Sequence, residues 1–161
     1  MTKKLTEMSV LTAIALIIFT VESHIPNLSP IPEMKPGLAN IITVYAVYRF
    51  SPSETALIVA ARIILGSVFT GNVSVMLYSM SGAVLCLAGM ILIKKVIPEK
   101  YMYLSSIAGA VLHNTGQLIA AVFIMHTTAV IAYYPFLIIT GCISGLFTGL
   151  CAQYVVLRVK R

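Results

Sequence analysis

The sequence predicts an all-α membrane protein: one integral membrane domain, residues 1–161, built as a six-transmembrane-helix bundle with both termini on the cytoplasmic side (N-in/C-in). Three observations predict it. Of the residues, 59% are apolar and 10% charged, where soluble domains carry about 45–50% and about 25%. Mean hydropathy is +0.97, which leaves a water-soluble enzyme too little polar surface to stay dispersed. The eleven Lys and Arg residues stand in ones, twos and threes between apolar runs. That spacing suits membrane flanks and not a nucleic-acid footprint, so no nucleic-acid partner is expected despite the net charge of +6.

A hydrocarbon core takes about 20 apolar residues per helix. The first predicted helix, 5–21, follows Lys3 and Lys4. A cleaved signal peptide is the other reading of such a stretch, but no small-x-small cleavage site stands out and five more apolar segments follow. The second segment, 37–50, covers only about 21 Å, so it must sit in protein or thin the bilayer. The third, fourth, fifth and sixth are predicted at 54–70, 73–93, 103–125 and 135–157. Between the first two, the loop 22–36 carries Pro26, Pro30, Pro32 and Pro36, which exclude an ordinary helix and stiffen the chain. Its Glu22, His24, Glu33 and Lys35 mark it as a lid over an outer cavity, with a plain connector as the alternative. With the N-terminus inside, Lys3, Lys4, Arg49, Lys94, Lys95, Lys100, Arg158, Lys160 and Arg161 fall on the cytoplasmic side and Lys35 outside. That bias sets the orientation and requires an even number of spans.

The sequence contains no Asp. Aspartate metal sites, a Walker B acid and an Asp-rich diphosphate–magnesium motif are therefore excluded, and no GxxxxGK[ST] phosphate loop occurs. The chain is not expected to be an enzyme. Cys86, Cys142 and Cys151 form no CxxC pair and read as small buried hydrophobes. One His without nearby Cys or Asp gives too few ligands for a metal, so neither a metal nor a cofactor is expected on this chain.

Ionisable groups at membrane depth are costly and usually functional. Arg62 lies about 12 Å into the bilayer, where it either pairs with a buried carboxylate, binds helix-end carbonyls or amides, or faces a polar cavity. The acids nearest that depth, Glu22 and Glu54, both stand at helix ends. His113, Asn114 and Gln117 share one face of the fifth segment, either lining a ligand or hydrogen-bonding between helices. Asn40 and Asn72 stand where they could rim an outward pocket, and Asn72 beside Gly71 also suits turn chemistry. Gly141, Gly145 and Gly149 make a small-residue stripe for close helix packing, and Ser9 with Ala13 forms a shorter one on the first segment.

Several stretches together look familiar: Leu11-Thr-Ala-Ile-Ala-Leu-Ile-Ile-Phe-Thr-Val-Glu-Ser-His-Ile-Pro26, Lys35-Pro-Gly-Leu-Ala-Asn40 and Tyr48-Arg-Phe-Ser-Pro-Ser-Glu54. Arg62-Ile-Ile-Leu-Gly-Ser-Val-Phe-Thr-Gly71 and Gly109-Ala-Val-Leu-His-Asn-Thr-Gly-Gln117 complete the set. Their order resembles the substrate-binding S components of energy-coupling-factor (ECF) transporters. More narrowly, the chain resembles the Gx transporter family, also labelled heptaprenyl diphosphate synthase component I. The resemblance implies six helices in a bacterial cytoplasmic membrane and a ligand pocket under the first outer loop. It also implies a transmembrane coupling protein with two ATPase subunits, which would use the ATP. In that family the first helix often carries AxxxA for docking to the coupling protein; here Ser9 and Ala13 match it with one departure.

Transport is thus the leading expectation. Asn40, Arg62, His113, Asn114 and Gln117 would orient a small amphiphilic solute, anionic at one end, in a mostly apolar wall. Vitamin-, flavin- or isoprenoid/quinone-precursor-like molecules fit that description. Two other readings stand beside it: a non-catalytic membrane subunit of heptaprenyl diphosphate synthesis, and a structural membrane protein without a ligand.

Overall fold

A computed structural model describes residues 2–24 and 37–159. Among these residues there are six α-helices and no strand: α1 (Thr2–Ser23), α2 (Asn40–Arg49), α3 (Pro52–Thr70), α4 (Val73–Lys94), α5 (Met102–Met125) and α6 (Tyr134–Val159). Short 3-10 turns at Glu99–Tyr101 and Ala129–Tyr133 lead into α5 and α6.

The boundaries have local causes. Pro52 opens α3 and holds Ser51 extended, at φ −70° and ψ 160°. The Ser51 hydroxyl then accepts from the Glu54 amide while the Glu54 carboxylate accepts from the Ser51 amide at 3.0 Å, a complete capping box. Gly71 closes α3 in the left-handed region at φ +63°. Asn72 opens α4, its Oδ1 accepting from the Ser74 amide at 2.9 Å.

Five helices are long and apolar enough to cross a membrane: all but α2. This differs from the six expected spans. α2 has ten residues, or about 15 Å of helix. It begins only after Gly37, whose φ of +80° belongs to a turn, and it stops before Pro52. Its shortness is tolerated because it is enclosed by protein: Ile42, Thr43, Val44, Ala46, Val47 and Tyr48 are all buried. The long helices are the reverse. They turn Ile17, Val68, Phe69, Phe123 and Ile143 outward, each more than half exposed, and keep Arg62, His113, Asn114 and Gln117 inside. Such an outer surface is stable only against lipid. The chain is a multi-pass membrane protein.

Neighbouring contacts fix the directions. α1 and α3 run parallel, tied by Lys4 to Glu54 at 2.7 Å near their starts and by Phe19 against Gly66 near their ends. α5 lies between α4 and α6 and packs most extensively with both. Seven of the eight described Lys and Arg residues lie at or near the end formed by the start of α1 and the ends of α2, α4 and α6; the eighth is Arg62. At this basic end Lys94 Nζ donates to the Val47 carbonyl at 2.6 Å, near the C-terminus of α2, and sits 5.6 Å over the Tyr48 ring. Glu7 accepts from Tyr45 at 3.4 Å and faces Arg49 at 3.6 Å, joining α1 to α2.

Candidate functional site: a buried polar cluster

The cluster is built by four helices and the turn before α2. α3 brings Arg62, which is 5% exposed. α5 brings His113, Asn114 and Gln117, and α2 brings Asn40 from its first turn, all buried. α1 contributes Glu22, in its last turn and only 2% exposed. Glu22 Oε1 accepts from the amides of Gly37 at 2.5 Å and Leu38 at 3.0 Å. Those are unpaired donors ahead of α2 that no side chain of its own N-cap, Ala39, satisfies.

Gly37 sits at the meeting point. A Cβ there would lie 2.8 Å from Asn40 Nδ2 and 3.7 Å from His113 Cδ2. On its other edge the imidazole lies against Gly82 of α4, where a Cβ would stand 2.8 Å from His113 Nδ1. Arg62 is within electrostatic range of Glu22, Cys86 and His113. Among the described residues Glu22 and Arg62 make no direct ion pair, so their opposite charges interact without contact. Arg62 Nε and Gln117 Oε1 are buried without a hydrogen-bond partner, while the His113 imidazole lies against the Gly82 backbone. Each such atom costs about 1–3 kcal/mol, and a charged one more. In a native protein that cost signals a function or an additional bound group.

The expected residues are not all equivalent. Asn114 turns away from His113: its Nδ2 donates to the Leu137 carbonyl of α6 at 2.7 Å, which gives it a structural bond between helices. Glu22, expected in the lid loop 22–36, stands in the last turn of α1, buried, and bonds the turn before α2. His24 is exposed and its Nδ1 meets the Thr20 carbonyl at 2.8 Å, on its own helix. Glu33 and Lys35, with Pro26, Pro30, Pro32 and Pro36, lie outside the described residues, as do Lys160 and Arg161. Cys86 is buried, its thiol 3.7 Å from Met90 Sδ, while Cys142 and Cys151 are half-buried.

Gly141, Gly145 and Gly149 face α5. Cβ atoms at these positions would fall 3.3 Å from Val111 Cα, 2.7 Å from Ile107 Cα and 2.6 Å from Tyr103 Cα. Ser9 and Ala13 are exposed on α1 and line an apolar groove of about 460 Å³ with Leu5, Met8, Thr12, Leu16, Leu57, Ile58, Ala61 and Leu65 of α1 and α3.

Sequence reasoning missed Gly82 and Gly37, which position the imidazole, and a second unpartnered set at the basic end: Tyr48 Oη, Ser105 Oγ and Gln153 Oε1. The capping signature Ser51-Pro-Ser-Glu54 was the one legible signal among the missed features. Nothing in the spacing of Gly82 relative to His113 announces their contact.

No curated protein sequence and no solved structure matches the chain. The family model of heptaprenyl diphosphate synthase component I matches residues 11–155. That match bears out the narrower of the two resemblances; the wider one, to S components, rests on the motifs quoted above. Covering nearly the whole chain, it places this protein in the heptaprenyl diphosphate synthase component I family.

Proposed function

We propose that this chain is the substrate-binding membrane subunit of an ECF-type uptake transporter. It captures a small amphiphilic solute with an anionic group from the outside and is not itself an enzyme. The observation that carries the reading is Arg62: a guanidinium 5% exposed, with Nε unpartnered, within electrostatic range of Glu22 and His113. A buried cation with unused donor capacity is matched by an anionic ligand group. The cluster extends from mid-bundle toward the end opposite the basic one. The bias of Lys and Arg toward the cytoplasm then orients that end outward, with both termini inside. The apolar groove holding Ser9 and Ala13 is the surface for a transmembrane coupling protein, whose ATPase partners supply the energy. Vitamin-, flavin- and isoprenoid- or quinone-precursor-like solutes have the right character: apolar bodies with one polar end.

A second reading is favoured by the family's name, which describes a synthase component. In it the chain is a non-catalytic membrane subunit of polyprenyl diphosphate synthesis, presenting lipid substrate to a soluble enzyme. The absence of Asp removes the Asp-rich magnesium motif from this chain and leaves catalysis to the partner.

Gentle extraction followed by mass spectrometry separates the two. Co-purification of a coupling protein, ATPases and a small acidic molecule is expected. Recovery of a soluble prenyl synthase without ATPases would select the second reading. For the molecule recovered, Arg62→Gln and His113→Ala should weaken binding by about tenfold or more, about 1.4 kcal/mol. Unchanged affinity in both variants would overturn the site.

A further inference from the structure

We infer that the solute held at Arg62 is electrically balanced: it carries a cationic or strongly N–H-donating group beside its anionic one, and the second group is met by Glu22. The inference rests on the binding-site reading above and narrows its ligand class from a simple anion to a zwitterion or its neutral equivalent.

Charge balance between two buried side chains carries the inference. Glu22 is as deeply buried as Arg62, and its field acts on the guanidinium. Its bonds to the turn before α2 are both made by Oε1; among the described residues Oε2 has no hydrogen bond and is an acceptor. Among the described residues, the charged groups facing the cluster are Arg62 from α3 and Glu22 from α1, of opposite sign. His113 from α5 and Cys86 from α4 are the other titratable side chains within range of Arg62. Neither supplies a fixed charge.

A purely anionic ligand would satisfy Arg62 and leave one uncompensated negative charge in a low-dielectric interior, close to a carboxylate. Uncompensated buried charge costs several kcal/mol. A ligand with both signs adds no net charge to the interior and offers a partner to each of two charges that make no ion pair with each other. Gln117 Oε1, buried and unpartnered one turn along α5 from His113, adds a second acceptor. The unused capacity is thus one cationic donor and two acceptors. A lone carboxylate or phosphate cannot use the acceptors; an amino acid-like head group can.

The test uses three probes with one carbon skeleton: phenylbutyrate (anion), phenylbutylamine (cation) and homophenylalanine (both groups). Their affinities for the full-length detergent-solubilised protein are read by thermal shift. Homophenylalanine should bind wild type at least about tenfold more tightly than either single-group probe. Glu22→Gln should invert the preference toward phenylbutyrate, and Arg62→Gln should lose both acidic probes. If phenylbutyrate binds wild type as tightly as homophenylalanine, and Arg62→Gln abolishes it, charge balance is wrong while the binding site stands. If no probe binds, or Arg62→Gln changes nothing, both ideas fall. The wild-type comparison needs no variant, so a Glu22→Gln protein that misfolds does not remove the test.

Discussion

Glu22 joins the architecture of the bundle to its buried polar cluster. Its carboxylate holds the Gly37 and Leu38 amides and its field acts on Arg62. From the sequence it reads as one of four polar residues in a Pro-rich loop; in the fold it is the buried last turn of α1. Arg62 and His113 were legible because charge and imidazole are rare in apolar runs. The inward turn of Glu22 was not, because a helix-end carboxylate has the same local pattern whether it faces water or protein. Gly82 is a third such residue. A methyl group there would stand 2.8 Å from His113 Nδ1, Cε1 and carbonyl oxygen, and backbone cannot yield as a flexible side chain can. Gly82→Ala should therefore cost about 1–3 kcal/mol through overpacking and displace the imidazole. Thermal melting in detergent checks the first effect and ligand affinity the second. A melting temperature matching wild type would contradict the contact.

At the scale of elements, α5 organises the bundle. One face meets α4 at Gly82 and the other meets α6 along Gly141, Gly145 and Gly149. Helices in lipid gain little from burying apolar surface against one another, so close backbone approach and interhelical hydrogen bonds do the joining. Both are present: Ser106 and Thr148 hydroxyls lie 3.1 Å apart, and Asn114 reaches Leu137. The stripe spacing revealed a packing face but not its partner, since any helix could fill it. Paired Ser106→Cys and Thr148→Cys substitutions, in a background lacking the native cysteines, should form an intramolecular disulfide on mild oxidation. Adding Gly145→Leu should abolish that crosslink by pushing α6 off Ile107 and Ala110. Crosslinking that persists at the wild-type rate would refute the α5–α6 register. The exposed capping box at the start of α3 is a separate, smaller contribution: Ser51→Ala should lower stability by about 1 kcal/mol, read as a modest drop in melting temperature.

Taken as a whole, the molecule separates its polar groups into a basic end, a buried cluster reaching toward the opposite end, and an outer apolar wall. Orientation decides whether this arrangement suits the proposed transport function, because a solute site must open to the side where the solute is. Single cysteines at Lys4 and at Lys100, in the same background lacking native cysteines, should be labelled by an impermeant maleimide only after the cell membrane is opened. One at His126, exposed at the other end of α5, should be labelled in intact cells. Labelling of Lys100→Cys and His126→Cys from the same side would contradict the topology.

The sequence by itself determined the solvent and the class of fold. Hydropathy, run length and the grouping of Lys and Arg are local or additive quantities, so they were readable without coordinates, down to helix ends within a few residues for the long helices. It overestimated α2, because an apolar run enclosed by protein has no need to match the bilayer's thickness. Folding in three dimensions was needed to show that Asn114 bonds to α6, that Gly82 receives His113, and that Glu22 shares an interior with Arg62. Each of these joins residues far apart in the chain, and their meeting depends on how helices cross, which no period or composition records.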